Sequence, residues 1–270
     1  MKKLTVSVVC LLLGCSTGAL ATVAPVAYWS FDNPVDIGHD DSGNGHDGTC
    51  VGAPTSTTGR WGNAVNLDGA SYIDVTDATD LNPTTAITIT AWFKANSFNY
   101  GSYSWPNIVR KTDNDDTGGY AMEIQYVFQN TPCLGGGVYI EGHGWVIVPT
   151  NLPSQDKQID TNTWYFAAMV YDGETCSTYL CSDGQSFLTA YESFSNSFSG
   201  NMEPSSNNLM IGNAPIYGDR HFDGAIDDVR IYYNQALSIT ELEEVYNVPE
   251  PATILLLGLG GLALLRKRRA

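Results

Sequence analysis

Helical periodicity is nearly absent from residues 23–233, and short β-rich runs broken by Gly, Asn, Asp and Pro take its place. Residues 26–31, 64–67 and 72–75 are such runs. The clearest spans residues 86–94, where Ile87, Ile89, Ala91 and Phe93 alternate with Thr88, Thr90 and Lys94. In a strand that alternation puts the apolar set on one face. Residues 120–128 and 138–141 suit a hairpin about a Pro/Gly-rich turn, and residues 164–171 and 177–181 another about Asp172-Gly173. Residues 209–212 and 222–233 complete the set. Many short strands at regular spacing predict an all-β sandwich or jelly roll. One short helix follows, since Ser238-Ile239-Thr240-Glu241 is a capping box leading into residues 242–246. With no linker and no internal repeat, residues 23–247 read as a single domain.

The two ends carry a different signal. Lys2 and Lys3, an apolar run over residues 4–13 and Ala19-Leu20-Ala21 form a signal peptide over residues 1–21, which predicts export and cleavage by signal peptidase. Leu12-Leu13-Gly14-Cys15 offers a lipoprotein cleavage box as the alternative. At the other end, Val248-Pro249-Glu250-Pro251 precedes an apolar run over residues 252–265 and then Arg266-Lys267-Arg268-Arg269. Two prolines stop the preceding helix. As a helix the run would reach only about 21 Å against a bilayer core of about 30 Å. It is a marginal transmembrane helix followed by a positive stop that stays on the cytoplasmic side.

Charge separates the middle from the ends. Between Asp32 and Glu250 lie all 29 acids but only seven of the 13 bases, a local net charge of −22. Such a surface repels nucleic acid and anionic lipid and attracts cations. Cys50, Cys133, Cys176 and Cys181 form an even set in a chain that reads as exported, so disulfides are expected, with three pairings open. Cys176 and Cys181 fall in one strand, roughly 16 Å apart at strand rise, which disfavours a bridge between them.

Two resemblances follow from these residues. Residues 248–270, with Pro249, Glu250 and Pro251, the short apolar helix and the terminal arginines, resemble the PEP-CTERM sorting signal of Gram-negative bacteria. The resemblance implies a partner, an exosortase-type sorting transpeptidase that removes the tail. It also implies transient anchorage in the inner membrane before transfer to the cell surface or extracellular matrix. The middle resembles the LamG-like jelly roll of the concanavalin A-like lectin/glucanase superfamily. Tyr28-Trp29-Ser30-Phe31-Asp32 is similar to its opening strand, and Asp41-Ser42-Gly43-Asn44-Gly45-His46-Asp47-Gly48 to its D-x-S-G-N loop. Residues 62–69, 89–93, 164–167 and 222–232 fit later strands. That likeness implies a calcium ion held by Asp41, Asn44 and Asp227, with Asp32 as a fourth ligand. Oxygen donors of these types suit calcium. On an unbulged strand Asp227 shares a face with Val229 and Ile231, and an inward carboxylate needs a partner. The run Asp113-Asn114-Asp115-Asp116 reads instead as a solvated acidic loop.

No catalytic constellation stands out. Glycosidases of this superfamily place paired acids on one strand as E-x-D-x-x-E, whereas Glu123-Ile124-Gln125-Tyr126-Val127-Phe128 offers one acid. His39, His46, His143 and His221 are scattered in expected loops. Tyr100, Tyr103, Trp105 and Trp145 are candidate ligand contacts, because loop aromatics stack on sugar faces. The sequence therefore predicts a non-enzymatic surface or matrix protein, stabilised by calcium and binding glycan or another extracellular polymer. A divergent glycan-active enzyme and a purely structural coat component are the alternatives.

Overall fold

The computed structural model describes residues 23–98, 105–126, 132–148, 158–215 and 220–247. Among them the chain forms fifteen strands, two short α-helices and one 3-10 turn at Thr79–Leu81. In order these are β1 (Ala27–Trp29), β2 (Gly48–Val51), β3 (Thr55–Thr58), β4 (Asn63–Asp68), β5 (Tyr72–Val75), β6 (Ile87–Ala95), β7 (Asn107–Lys111) and β8 (Tyr120–Tyr126). There follow β9 (Pro132–Ile140), β10 (Gly144–Val148), β11 (Tyr165–Tyr171), β12 (Thr175–Ser182), α1 (Phe187–Ala190), β13 (Glu192–Ser197), β14 (Leu209–Ile211), β15 (Asp223–Tyr233) and α2 (Ile239–Asn247). Two sheets result. One runs β13-β12-β11-β6-β15-β4-β3 with β1 beside β15, and the other β10-β9-β8-β7-β14-β5-β2. The ladders are antiparallel, as expected of a jelly roll.

The core lies between the sheets. Ile87, Ile89, Ala91 and Phe93 of β6 face it as their alternation predicts, with Trp29, Met122 and Met169 opposite or beside them. A second apolar layer covers the other face of the eight-stranded sheet. There Trp92, Phe166, Phe187, Leu242 and Tyr246 pack beneath α2. The central strand β6 is thus buried on both faces, which is why Thr88 and Thr90 are as inaccessible as their apolar neighbours. Thr88 meets that burial with hydrogen bonds to Gln235 and Leu237 of the connection into α2. The helix starts on the expected capping box: Ser238 donates its backbone N–H to Glu241 at 2.7 Å and Glu241 returns one to Ser238 Oγ at 3.3 Å.

Three features differ from the sequence expectation. The Pro/Gly stretch after β8 is not a turn: Pro132–Ile140 is all strand, and Gly135, Gly136 and Gly137 pair with Glu123, Met122 and Ala121. A Cβ at Gly135 would fall 2.3 Å from the Gln125 side chain, and one at Gly136 or Gly137 would fall 2.7 or 2.6 Å from a neighbouring strand's carbonyl, so the glycines permit close approach within the sheet. Second, β15 is bulged between Asp227 and Arg230, with Asp228 at φ 57°. The extra residue keeps Ile226, Val229 and Ile231 all in the core and turns Asp227 to the opposite face, across from Trp92. Asp227 therefore does not share a face with Val229 and Ile231. Third, Cys50, Cys176 and Cys181 are free thiols. Cys50 is exposed on the edge strand β2, while Cys176 and Cys181 enter opposite apolar layers from one strand. Among the described residues no helix is long and apolar enough to cross a membrane. The signal peptide and the tail at 248–270 lie outside the described residues.

Candidate functional site: a charged, tryptophan-flanked cleft and an aspartate knot

The outer face of the seven-stranded sheet carries an unusual set of side chains. Strand pairing sets Asn107 of β7 opposite Glu123 of β8, and Arg110 opposite Ala121. Arg110 Nη1 lies 3.1 Å from Glu123 Oε2 and its Nη2 pairs with Asp116. Arg220 Nη1 approaches the same Glu123 oxygen at 3.8 Å. Gln125 donates to Glu123 Oε1 at 3.0 Å, so both oxygens of this buried carboxylate are occupied. Each arginine is backed by an indole: Arg110 sits 5.1 Å from the Trp145 ring and Arg220 5.1 Å from the Trp105 ring. Trp145 Nε1 donates to the Asp116 carbonyl at 2.8 Å, which fixes that ring. These side chains and the Gly136–Gly137 backbone line a small cleft of roughly 40 Å³.

Chemically the cleft is a balanced set of two guanidinium and two carboxylate groups between two half-buried indoles. The cleft thus sets charged, mutually paired groups beside flat apolar faces. Glu123 and Asp116 are carboxylates paired to one guanidinium, that of Arg110. Trp105 and Trp145, two of the four aromatic candidates, are thus brought together. Tyr100 and Tyr103 lie outside the described residues. Arg110, Arg220 and Asp116 are cleft neighbours that the sequence reading missed, because nothing in spacing alone brings positions 110, 116 and 220 together.

The predicted calcium ligands meet only in part. Asp32 and Asp227 hold one turn from two sides. Asp32 Oδ1 accepts the Asn63 N–H at 2.7 Å, and Asp227 Oδ2 accepts those of Arg60 and Trp61 at 2.8 and 3.2 Å. Gly59 and Gly62 permit this, since a Cβ at either would lie within 2.5 Å of a carboxylate oxygen. Asp41 is tied to Ser30, and the exposed Asn44 gives its amide to the Val26 carbonyl. The D-x-S-G-N loop is instead centred on Asp40, which accepts from Tyr28, Ser42 and His46. Asp228, beside Asp227, bonds to Arg230 at 3.0 Å. One oxygen of each buried acid, Asp227 Oδ1 and Asp228 Oδ2, has no hydrogen-bond partner. Burial, then the Asp228 charge, push the Asp227 carboxyl up to about 8; burial likewise raises Asp228 against the pull of Arg230. Two orphaned carboxylate oxygens are what a cation would satisfy. Among the described residues no group of three or more His, Cys, Asp or Glu side chains is arranged to hold a metal.

The other polar candidates have structural partners. Asp113 accepts from Ser205 and Ser206, and Asp116 belongs to the cleft, so the 113–116 run is neither free nor a chelating loop. His39 lies 3.1 Å from Asp47, His46 3.2 Å from Asp80, and the His143 ring stacks on Phe198.

A family model described as the concanavalin A-like lectin/glucanases superfamily matches residues 67–243. The chain belongs to that superfamily. A second model, the PEP-CTERM protein-sorting motif, matches residues 247–269. That motif marks an exported protein processed by an exosortase. No curated protein matches the chain. Among solved structures, domain 4 of AbnA, an extracellular GH43 arabinanase from Geobacillus stearothermophilus, has a TM-score of 0.61 at 21% identity. The match covers 82% of this chain and 97% of that one, which was solved with arabinotriose. The receptor-binding domain of botulinum neurotoxin mosaic serotype C/D gives 0.57 at 13% identity, covering 83% of this chain and 51% of that one. At such identities the likeness is one of fold. This superfamily member is therefore a two-sheet lectin-like domain, and its own residues must carry any functional reading.

Proposed function

We propose that the protein is exported through its residue 1–21 signal, sorted through Pro249, Glu250 and Pro251, and displayed on the cell surface or in the extracellular matrix. There its domain, residues 23–247, binds glycan in the Trp105–Trp145 cleft and is stabilised by calcium at Asp227 and Asp228 with Asp32 nearby. The observation that carries glycan binding is the charge-balanced Arg110–Glu123–Arg220 set backed by two indoles. Two orphaned buried oxygens support calcium. Arabinotriose in the arabinanase domain fits a sugar-binding role for the shared fold.

A glycan array with the signal-free chain tests this, followed by titration calorimetry on the best sugar. Removing an indole that stacks on a ring costs about 1–3 kcal/mol, so Trp145→Ala is expected to weaken binding at least about fivefold. Absence of binding to every sugar, with and without calcium, would leave a structural coat component. The glycan-active enzyme draws on one specific observation, the Glu123 and Asp116 carboxylates facing one cleft. Release of reducing ends by the parent, abolished in Glu123→Gln, would establish it. For sorting, mass spectrometry of surface-located protein is expected to find no peptide from Arg266–Ala270; an intact tail there would overturn exosortase processing.

A further inference from the structure

We infer that, before the tail is removed, the corner formed by α1 and the end of α2 lies against the lipid headgroups of the membrane that holds the tail. This rests on the sorting reading of residues 248–270. Tyr246 nails down the last turn of α2. Its ring lies 5.0 Å from Trp92 and 5.6 Å from both Phe166 and Phe187, and its hydroxyl donates to the Gln185 carbonyl at 2.8 Å. The helix ends at Asn247, beside the turn between β12 and α1. The apolar run begins at Ala252. Four residues intervene, and even fully extended they span at most about 14 Å. The headgroup layer of one leaflet is roughly 5–7 Å thick. A domain tethered this shortly is held within about one headgroup layer of the bilayer.

The corner offers one apolar side chain to the contact. Leu188 of α1 is 47% exposed, next to the buried Phe187 that touches Tyr246. It is one of three exposed large hydrophobic side chains among the described residues. Asp183, on that turn, is engaged by Arg60 at 2.6 Å, whereas Glu243 and Glu244 on α2 are half-exposed acids near the corner. The domain as a whole is strongly acidic and has no electrostatic reason to seek anionic lipid. The contact is therefore imposed by the tether, which raises the local concentration of the corner at the lipid to about the millimolar range. Lengthening the tether must abolish it.

Hydrogen exchange tests this with the tail-bearing chain in nanodiscs of phosphatidylethanolamine and phosphatidylglycerol. The comparison is a variant with twelve Gly/Ser residues inserted between Asn247 and Val248. Amides of α1 and of the last turn of α2 are expected to exchange at least threefold more slowly in the parent than in the insertion variant. Leu188→Glu, on an exposed position that leaves the core intact, is expected to lose most of that protection. Equal exchange in parent and insertion variant overturns the contact while leaving the anchor standing. A chain that fails to co-purify with the discs overturns the anchor and the contact together. Protection that appears only when exosortase is added assigns the corner to the enzyme instead of the lipid.

Discussion

Replacing Arg110 with methionine is expected to cost about 3–5 kcal/mol of folding stability, the usual penalty for stripping a buried charge of its partner. The magnitude follows from burial. The Arg110 and Glu123 side chains are 4% and 5% exposed, so water cannot take over from the guanidinium. Asp116, at 31%, can be rehydrated, and its half of the interaction is worth no more than about 1 kcal/mol. Methionine keeps most of the packing against Trp145, so the loss reports charge more than volume. Glu123 retains Gln125 and the more distant Arg220, which sets the direction of the second step. In Arg110→Met/Glu123→Gln the neutral amide no longer needs a counter-charge, and the double variant is expected to recover 1 kcal/mol or more relative to the single one. Urea unfolding of the parent, both single variants and the double variant closes the cycle. A single-variant loss below about 1 kcal/mol would show that the cluster is an ordinary solvated ion pair and remove the rigidity on which sugar recognition depends.

The same residues show how much of the molecule could be read in advance. Alternation along β6 and the Asp172-Gly173 turn were legible because each is local: period 2 and a φ-positive glycine act within one or two strands. Strands β3 and β13 were not, since Thr55–Thr58 and Glu192–Ser197 are polar edge strands without an apolar face. Gly135–Gly137 misled in the other direction. Three glycines signal a turn in isolation, yet here they sit within a strand paired with Glu123, Met122 and Ala121 of β8. Trp105 and Trp145 were identified by residue type alone. Their arginine partners come from positions tens of residues away, and only the sheet order makes them neighbours. The bulge at Asp228 is a global compromise: three apolar residues of β15 reach one core only if a residue is inserted between them. That insertion moved Asp227 to the far face and gave it Arg60 and Trp61 as partners. The intervening turn could not be foreseen from Asp227 itself.

Asp227 also sets the expected response to pH and calcium. Its carboxyl stands at about 8 in the fold against an ordinary 3.8, so between those values the folded state holds a proton that the unfolded state releases. Stability contributed in this way is complete below about pH 4 and is lost as pH rises through about 8. At 1.36 kcal/mol per pKa unit the loss is at most about 6 kcal/mol. In chelator, the parent is therefore expected to melt at a lower temperature at pH 8.5 than at pH 5. Asp227→Asn keeps an oxygen for the Arg60 and Trp61 amides and removes the ionisable group. It leaves Asp228 beside Arg230, its carboxyl still raised by burial, so only the Asp227 share of the pH dependence disappears. The variant is expected to show a flatter profile and to be the more stable protein in chelator at pH 8.5. Calcium reverses the order. A cation at the orphaned oxygens favours the ionised pair, and at a hundred times its dissociation constant it adds about 2.7 kcal/mol. The parent at pH 8.5 then recovers its melting temperature on adding calcium, while Asp227→Asn gains little. A parent whose melting temperature is unmoved by calcium at pH 8.5 would refute the metal site. A parent profile flat from pH 5 to 8.5 in chelator would show that the buried pair is neutralised by some other means.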